Sequence, residues 1–527
     1  MKMNNSLGIY LIGAMLILQS CTKSFEKYNT DPKGSTQEEV ERDGYILASA
    51  LTGMQAWVIP LDVNTCQFTE CLLGGSYGGY LSDSNNGFNG KNFATYNPEE
   101  NWLRVPFNDV IPNIFIRNVK VKSVTQDPIP AAVADIIKVL SISRVSSIYG
   151  PIPYSKIGAE GALNAPYDSE EEVYTKMFAE LDAAIAVLTL RRTENFTPKA
   201  DIVFGGNVIK WIKLANSLKL RLAMRILSAN PSLAKTKAEE AVQHEIGPML
   251  SNEDNAFAQP VSKNPFRVVM YEYNNGDSRI SADITSYMNG YKDPRREKYF
   301  TVSTFTGNIT NGYLGLRSGI SIPSGENVKR YTNMNVGNTD KVLWMNAAEV
   351  AFLRAEGALR GWNMGTAAMA GSTPAEGFYK TGINLSFNQW GAAGATAYTE
   401  DSRSVATSYI DPLGAFSNTG STSMITIKWN SAADMEQNLE RIITQKWIAN
   451  FPLGIEAWTE YRRTGYPKLM SVLQNNSGGR VNSQRMARRL PYPQDEYTEN
   501  AVNVQNAVST YLKGPDEMGT DLWWAKK

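Results

Sequence analysis

Apolar residues recur at three- and four-residue intervals through much of this chain, the spacing that lays one buried stripe along a helix. Val173, Met177, Leu181, Ala184, Ile185 and Leu188 keep it directly behind Asp168-Ser169-Glu170-Glu171-Glu172. Ser169 can accept from the backbone N–H of Glu172, whose carboxylate can reach back, so a helix with a capping box is predicted to start there. Ser35-Thr36-Gln37-Glu38-Glu39 offers two overlapping boxes and predicts a helix running to about Val58, ahead of Pro60. The same periodicity predicts helices over 131–148 (Val133, Ile136, Ile137, Leu140), 207–227 (Trp211, Ala215, Leu218, Leu222) and 435–450. A further helix over 341–360 carries Leu343, Ala347, Val350, Leu353 and Ala358, with Gly361 as its C-terminal stop. No clean short-period repeat accompanies them.

Between these segments lie long runs of Gly, Asn, Ser and aromatic residues, at 74–100, 301–340 and 402–426. Loops of that length in a compact domain carry function or short strands, so a few short strands or hairpins are expected inside them. The fold class that follows is mainly α: a single large domain with long irregular loops and a few short strands.

The first residues break this pattern. Lys2 is followed by an apolar run at 7–18, which suits a signal-peptide core and falls short of the ~20 residues needed to cross a bilayer. Leu18-Gln19-Ser20-Cys21 then resembles the lipobox of bacterial lipoproteins, where the Cys thiol is acylated and becomes the new N-terminus; Gln19 is a less usual residue there. The expected organisation is a signal peptide at 1–20, a lipidated tether at 21–34 anchored to the membrane through Cys21, and the body at 35–527. Acyl chains give stable anchoring when more than one is attached. Two further cysteines, Cys66 and Cys71, could be bonded in an export compartment. Five residues apart on one helix they fit a disulfide poorly, and two buried thiols are expected.

Charge and side-chain inventory narrow the chemistry. Lys+Arg and Asp+Glu both total 52, and removal of the leader leaves 51 against 52. With no basic excess to collect phosphates, nucleic acid is not an expected partner. The chain has one histidine, so sites built from two or three His ligands are excluded. That residue, His244, lies in Ala241-Val242-Gln243-His244-Glu245 with no nucleophile motif beside it, and reads as an ordinary surface or helix-end histidine. No P-loop, G-x-G-x-x-G or EF-hand phrase appears, so nucleotide use is not indicated.

An ordered set of phrases resembles the SusD/RagB-type outer-membrane lipoproteins. Cys21 with Phe25, Tyr28 and Asn29-Thr30-Asp31-Pro32 is similar to that family's start. Tyr149-Gly150-Pro151-Ile152-Pro153-Tyr154 resembles its helix-ending turn, WIKLANSLKLRLAMR at 211–225 a core helix, and Asp293-Pro294-Arg295 a short shared phrase. Ala348-Glu349-Val350-Ala351-Phe352-Leu353-Arg354-Ala355-Glu356 with Gly361-Trp362, Gln445-Lys446-Trp447, Glu456-Ala457-Trp458, Arg462-Arg463-Thr464-Gly465-Tyr466-Pro467, Arg488-Arg489-Leu490-Pro491-Tyr492-Pro493 and Leu522-Trp523-Trp524 complete it. The resemblance implies tetratricopeptide-like helix pairs, a lipid-anchored place on the outer membrane facing outward, and noncatalytic capture of glycans for a partner TonB-dependent, SusC-like transporter. No cofactor and no dedicated metal site is expected, and adventitious Ca²⁺ on loop carboxylates and carbonyls stays open. The Trp, Tyr and Arg of these phrases read as scaffold, since phrases shared across ligands describe the frame.

Sugars show hydroxyls around flat C–H faces, so a site for them combines aromatic planes with amide or carboxylate side chains. The 74–102 segment offers that mixture in Tyr77, Tyr80, Asp83, Asn85, Asn86, Phe88, Asn89, Tyr96 and Trp102, with glycines that let backbone approach a ligand. Tyr77, Tyr80 and Trp102 are expected to line the capture surface; the same pattern also fits an irregular loop whose aromatics are simply buried. Tyr313, Arg317 and Tyr331 form a second candidate, and Trp390 beside Asn388 and Gln389 a third. The family frame leaves another nutrient class, such as peptides, open. A glycoside hydrolase would need a paired carboxylate site, and no acid pair sits in a catalytic-looking motif. A purely structural surface protein would have no polar-aromatic cleft.

Overall fold

The computed structural model describes residues 44–158, 164–305 and 312–525. Cys21, the tether and the Ser35 capping boxes lie outside the described residues. Among the described residues, six α-helices of seven residues or more open the body: α1 (Tyr45–Gln55), α2 (Val110–Val124), α3 (Pro128–Tyr149), α4 (Glu170–Leu190), α5 (Val208–Arg225) and α6 (Pro231–Gln243). Each packs on the one before it, which builds a layered array of helix pairs. The ends are set locally. Ser169 Oγ accepts from Glu172 N at 3.2 Å while Glu172 Oε2 accepts from Ser169 N at 2.8 Å, so the predicted capping box is present. Asn207 caps α5 through Lys210 N, and Pro128 stands at the first turn of α3, where its missing N–H costs nothing.

The second half adds α7 (Pro265–Tyr271), α8 (Ala282–Gly290), α9 (Ala347–Leu359), α10 (Pro374–Gln389), α11 (Met435–Ala449), α12 (Gly454–Thr464) and α13 (Ala501–Thr510). Helix α9 packs on α5, α10 and α11, and α12 packs on a π-helical segment, Gln67–Gly75, and on α3. Gly361 takes φ 76° after α9, as expected for its stop. One helix is shorter than its periodicity predicts. Val342-Leu343-Trp344-Met345 is a strand, β6, because its four consecutive apolar side chains are all buried and Asn346 caps the helix that follows through Glu349 N.

Six short strands occur among the described residues: β1 (Leu81–Asp83), β2 (Ile152–Pro153), β3 (Tyr167–Asp168), β4 (Ala256–Ala258), β5 (Ser278–Ile280) and β6 (Val342–Met345). They form three antiparallel pairs, β1 with β5, β2 with β3 and β4 with β6. The 74–100 segment thus holds a strand as expected, but its partner lies nearly two hundred residues away rather than in a local hairpin.

Buried ion pairs tie the helices together. Arg225 grips Glu456 with Nη2 at 2.6 and 2.7 Å, Arg221 grips Glu349 at 2.6 and 2.7 Å, and Arg463 bridges Glu356 and Glu460. These contacts join α5, α9 and α12. Trp458 and Trp524 are fully buried, with the Arg462 guanidinium 3.5 Å from the Trp458 ring centre. The shared phrases are therefore scaffold, as read. Cys66 and Cys71 are buried free thiols, and burial pushes the Cys66 thiol pKa up.

Candidate functional site

Apart from the main core, a satellite cluster forms around Leu314, Leu316, Ile320, Ile322, Tyr331, Tyr409 and Met470. Four partly exposed residues pack on it: Phe88, Phe305, Leu413 and Phe416. They come from the three long Gly- and Ser-rich segments, so loops distant in sequence share one small core with partly exposed rings around it, here called the loop face.

Short polar contacts fix these loops. Asn89 binds both backbone groups of Ile322, and Ser82 Oγ donates to Arg317 O at 2.9 Å, so 81–89 and 312–322 run side by side. Arg317 donates to Ser471 O at 2.7 Å and Phe416 O at 3.4 Å. Asp411 accepts from the backbone N–H groups of Ala415 and Phe416 at 3.0 Å each and from the Tyr331 hydroxyl at 2.5 Å. Phe305 lies edge-on to Tyr331 with centroids 4.8 Å apart, and the Arg330 guanidinium stands 4.3 Å from its ring centre. These contacts fix the backbone that carries the aromatic rings.

The expected site residues fall into layers around this face. Tyr77, Tyr80 and Trp102 are 1%, 0% and 5% exposed, so they cannot stack on a ligand from outside. This corrects their expected placement on the capture surface. Tyr77 donates to Phe93 O at 2.9 Å and packs on Trp458; Tyr80 donates to Trp447 O at 2.5 Å and stacks on that indole. Large aromatic surface is worth most when fully desolvated, and here the helices α11 and α12 supply the cover. Trp102 lies beneath Phe88, edge to face at 5.0 Å, so the accessible ring is one layer further out. The glycines also serve packing. A Cβ on Gly74 would sit 2.8 Å from Ile455 N, and one on Gly454 would sit 2.3 Å from the Gly74 carbonyl carbon. Their close approach is to a helix and not to a ligand.

Asn85 is committed, donating to Asp277 at 2.8 Å and accepting from Gly87 N. Asn86 is exposed and its side chain has no hydrogen bond among the described residues, which leaves its amide available to a ligand. Tyr313 is half-buried, with Arg296 5.6 Å from its ring centre. Arg317 is buried as a brace, and burial lowers its pKa against the opposing pull of Asp283. The accessible rings are Phe88, Phe305 and Phe416. Residue type and loop composition brought Phe88 into view; nothing in the sequence marked Phe305 and Phe416, because their partial exposure depends on which loops meet.

Beneath the face, burial pushes Asp83 up to about 7, with nearby Asp277 adding to the effect and a Ser76 hydrogen bond opposing it. Among the described residues no group of three or more His, Cys, Asp or Glu side chains could hold a metal ion, and no helix is long and apolar enough to cross a membrane.

A separate pocket of about 310 Å³ opens between β4, β6, the first turn of α7 and the end of α10. It is lined by Phe257, Phe266, Val336, Leu343, Trp390 and Phe451, with Asn335, Lys341 and Gln389 among its polar groups. Trp390 and Gln389, paired in the sequence reading, therefore meet at this pocket.

The sequence profile of SusD-like proteins, the SusD and RagB outer-membrane lipoproteins, matches residues 27–525. No curated protein sequence matches the chain. Among solved structures, a SusD homologue from Bacteroides uniformis is 48% identical, covers 92% of this chain and all of its own, and superposes with a TM-score of 0.86. A SusD homologue from Bacteroides thetaiotaomicron is 42% identical over 91% of this chain and 99% of its own, TM-score 0.84. A chitin-binding SusD homologue from Flavobacterium johnsoniae is 37% identical over 91% of this chain and 98% of its own, TM-score 0.84.

Proposed function

Because the chain belongs to the SusD-like family of outer-membrane lipoproteins, we propose that it captures glycans by contact alone and hands them to a partner TonB-dependent outer-membrane transporter. The observation that carries this reading is the loop face: three half-exposed rings, Phe88, Phe305 and Phe416, fixed on one satellite core beside the exposed amide of Asn86. Rigid rings offer stacking planes to the C–H faces of sugars at little entropic loss, while amide side chains meet hydroxyls. The chitin-binding relative supports glycans over peptides as the ligand class.

In this reading Cys21 carries the acyl anchor that holds the body at the outer membrane, and the protein performs no bond cleavage. Tyr313 packs on the main core beside Phe300 and Arg296, and its half-exposed ring is a further contact for ligand. Arg317 positions the loops without touching ligand.

The test is calorimetry of the purified protein against soluble oligosaccharides of several linkages, chito-oligosaccharides included, and against a peptide pool. Binding of at least one glycan class is expected, weakened tenfold or more when Phe88, Phe305 and Phe416 are all replaced by Ala. Unchanged binding in that triple variant, or binding of peptides alone, would overturn it. Release of reducing ends from a bound polysaccharide would instead support hydrolysis.

A further inference from the structure

The pocket beside Trp390 lies apart from the three rings of the loop face. Its wall is mainly hydrocarbon, from Phe257, Phe266, Leu343 and Phe451. Trp390 packs on Tyr299 with ring centroids 4.4 Å apart, and Tyr299 stacks on Phe451 at 4.9 Å, so the wall is held from behind. The polar groups facing it are unequal in kind. Gln389 Oε1 accepts from Asn255 at 3.2 Å, which leaves the Gln389 amide N–H groups without a partner among the described residues. Asn335 is exposed with its amide uncommitted, and Asp340 and Lys341 also line the opening. Asn264, by contrast, spends its side chain on Phe266 N and Asp340 O. The pocket therefore offers the amide N–H groups of Gln389 and Asn335, beside one carboxylate and one ammonium, over an apolar floor. At about 310 Å³ it stands at the small end of the range for ligand pockets, room for one ring rather than a chain.

We infer that this pocket binds a single sugar ring bearing an N-acetyl group, with the acetamido methyl against Phe257 and Leu343 and its carbonyl oxygen accepting from Gln389. Glucose differs from such a ring only at C2, where it would set a hydroxyl against carbon in place of the acetamido methyl, which is unfavourable without a partner. An acetamido group supplies what the wall lacks: one methyl for the floor and one strong acceptor for the donors. The sugar class rests on the glycan reading above, but the site and its residues are different, so each can fail alone.

The experiment uses the full mature protein with free N-acetylglucosamine and with glucose, followed by saturation-transfer NMR and calorimetry. Strongest transfer to the acetamido methyl, and at least tenfold preference over glucose, are expected. Val336→Trp, which fills the pocket from its half-exposed rim, should abolish the signal, and Gln389→Ala should weaken it several-fold with an unchanged melting temperature. The Phe88, Phe305 and Phe416 triple variant should keep it. Equal binding of glucose, binding of neither sugar, or full binding in both pocket variants would overturn the inference. Loss of binding in the triple variant with retention in both pocket variants would likewise overturn it, while leaving the loop face as the glycan site.

Discussion

The side chain of Asn89 brackets the backbone of Ile322: its Oδ1 accepts from the Ile322 N–H at 2.7 Å and its Nδ2 donates to the Ile322 carbonyl at 3.1 Å. One amide thus supplies the donor and acceptor that a neighbouring strand would, and holds two loops in register where no strand pairs them. Asn89→Ala should cost about 1–3 kcal/mol of stability, since two partly buried hydrogen bonds vanish and the backbone groups lose their partners. Hydrogen exchange at the Ile322 amide should accelerate well beyond the global change. An amide as protected as in the wild type would show that the loops are held by the satellite core alone.

Trp102 and Phe88 make a contrasting pair, one buried beneath the other. Trp102→Ala removes a buried indole and should cost about 3–5 kcal/mol. Phe88→Ala, at a half-exposed ring, should leave the melting temperature within a few degrees and weaken glycan binding. Thermal melts and calorimetry on both variants separate support from contact. A stable Trp102 variant with selectively lost binding would put the indole in the site.

The Arg225–Glu456 pair is buried and bidentate. Glu456→Gln leaves Arg225 without its counter-charge in the interior, and a loss of about 3–5 kcal/mol is expected in denaturant unfolding. A near-neutral outcome would mean that Glu349 and Glu460 take over the compensation.

The same carboxylate fixes the behaviour in acid. Burial pushes the Glu456 pKa up, but Arg225, Arg221 and Lys446 more than offset it and hold it at about 2, below its unfolded value. Its contribution is therefore complete above about pH 4.3 and is lost as pH falls toward 2. Denaturant titrations between pH 5 and 2 should show the wild type losing stability more steeply than Glu456→Gln.

Asp83 runs in the opposite sense. Its folded pKa is raised to about 7, above the unfolded ~3.9, so the folded state holds the proton more tightly. The associated stability is present below about pH 4 and lost as pH rises through 7. Asp83→Asn should thus stabilise the protein by about 1–3 kcal/mol at pH 8 and by little at pH 4. Equal effects at both pH values would show that Asp83 titrates normally.

Helix positions were legible because their evidence is local. Ser169 and Glu172 are three residues apart and make their reciprocal cap without outside help, and Asn207 and Gly361 act within one turn. The failure at 342–345 is equally physical: four consecutive apolar residues fit a helix or a buried strand alike, and only the presence of β4 decided. The aromatic residues expected to line the site lie deeper than the rings of the proposed face. The loop rich in Tyr, Trp, Asn and Gly carries Phe88 of the proposed face, but its Tyr77 and Tyr80 are covered by α11 and α12, which enter hundreds of residues later.

The sequence by itself determined the most strongly periodic helices, the Ser169 cap, the near-neutral charge and, through the ordered phrases from Tyr149 to Trp524, the family frame, because each rests on neighbours within a few positions or on an unbroken order of words; helices such as Val110–Val124 and Pro374–Gln389 are not read from it. Tertiary structure alone decided which aromatics face outward, that Arg317 and Asn89 brace loops, and that Trp390 meets Phe257 at a pocket. Exposure is a property of what packs on top, and residues brought together from opposite ends of a chain leave no periodic trace in it.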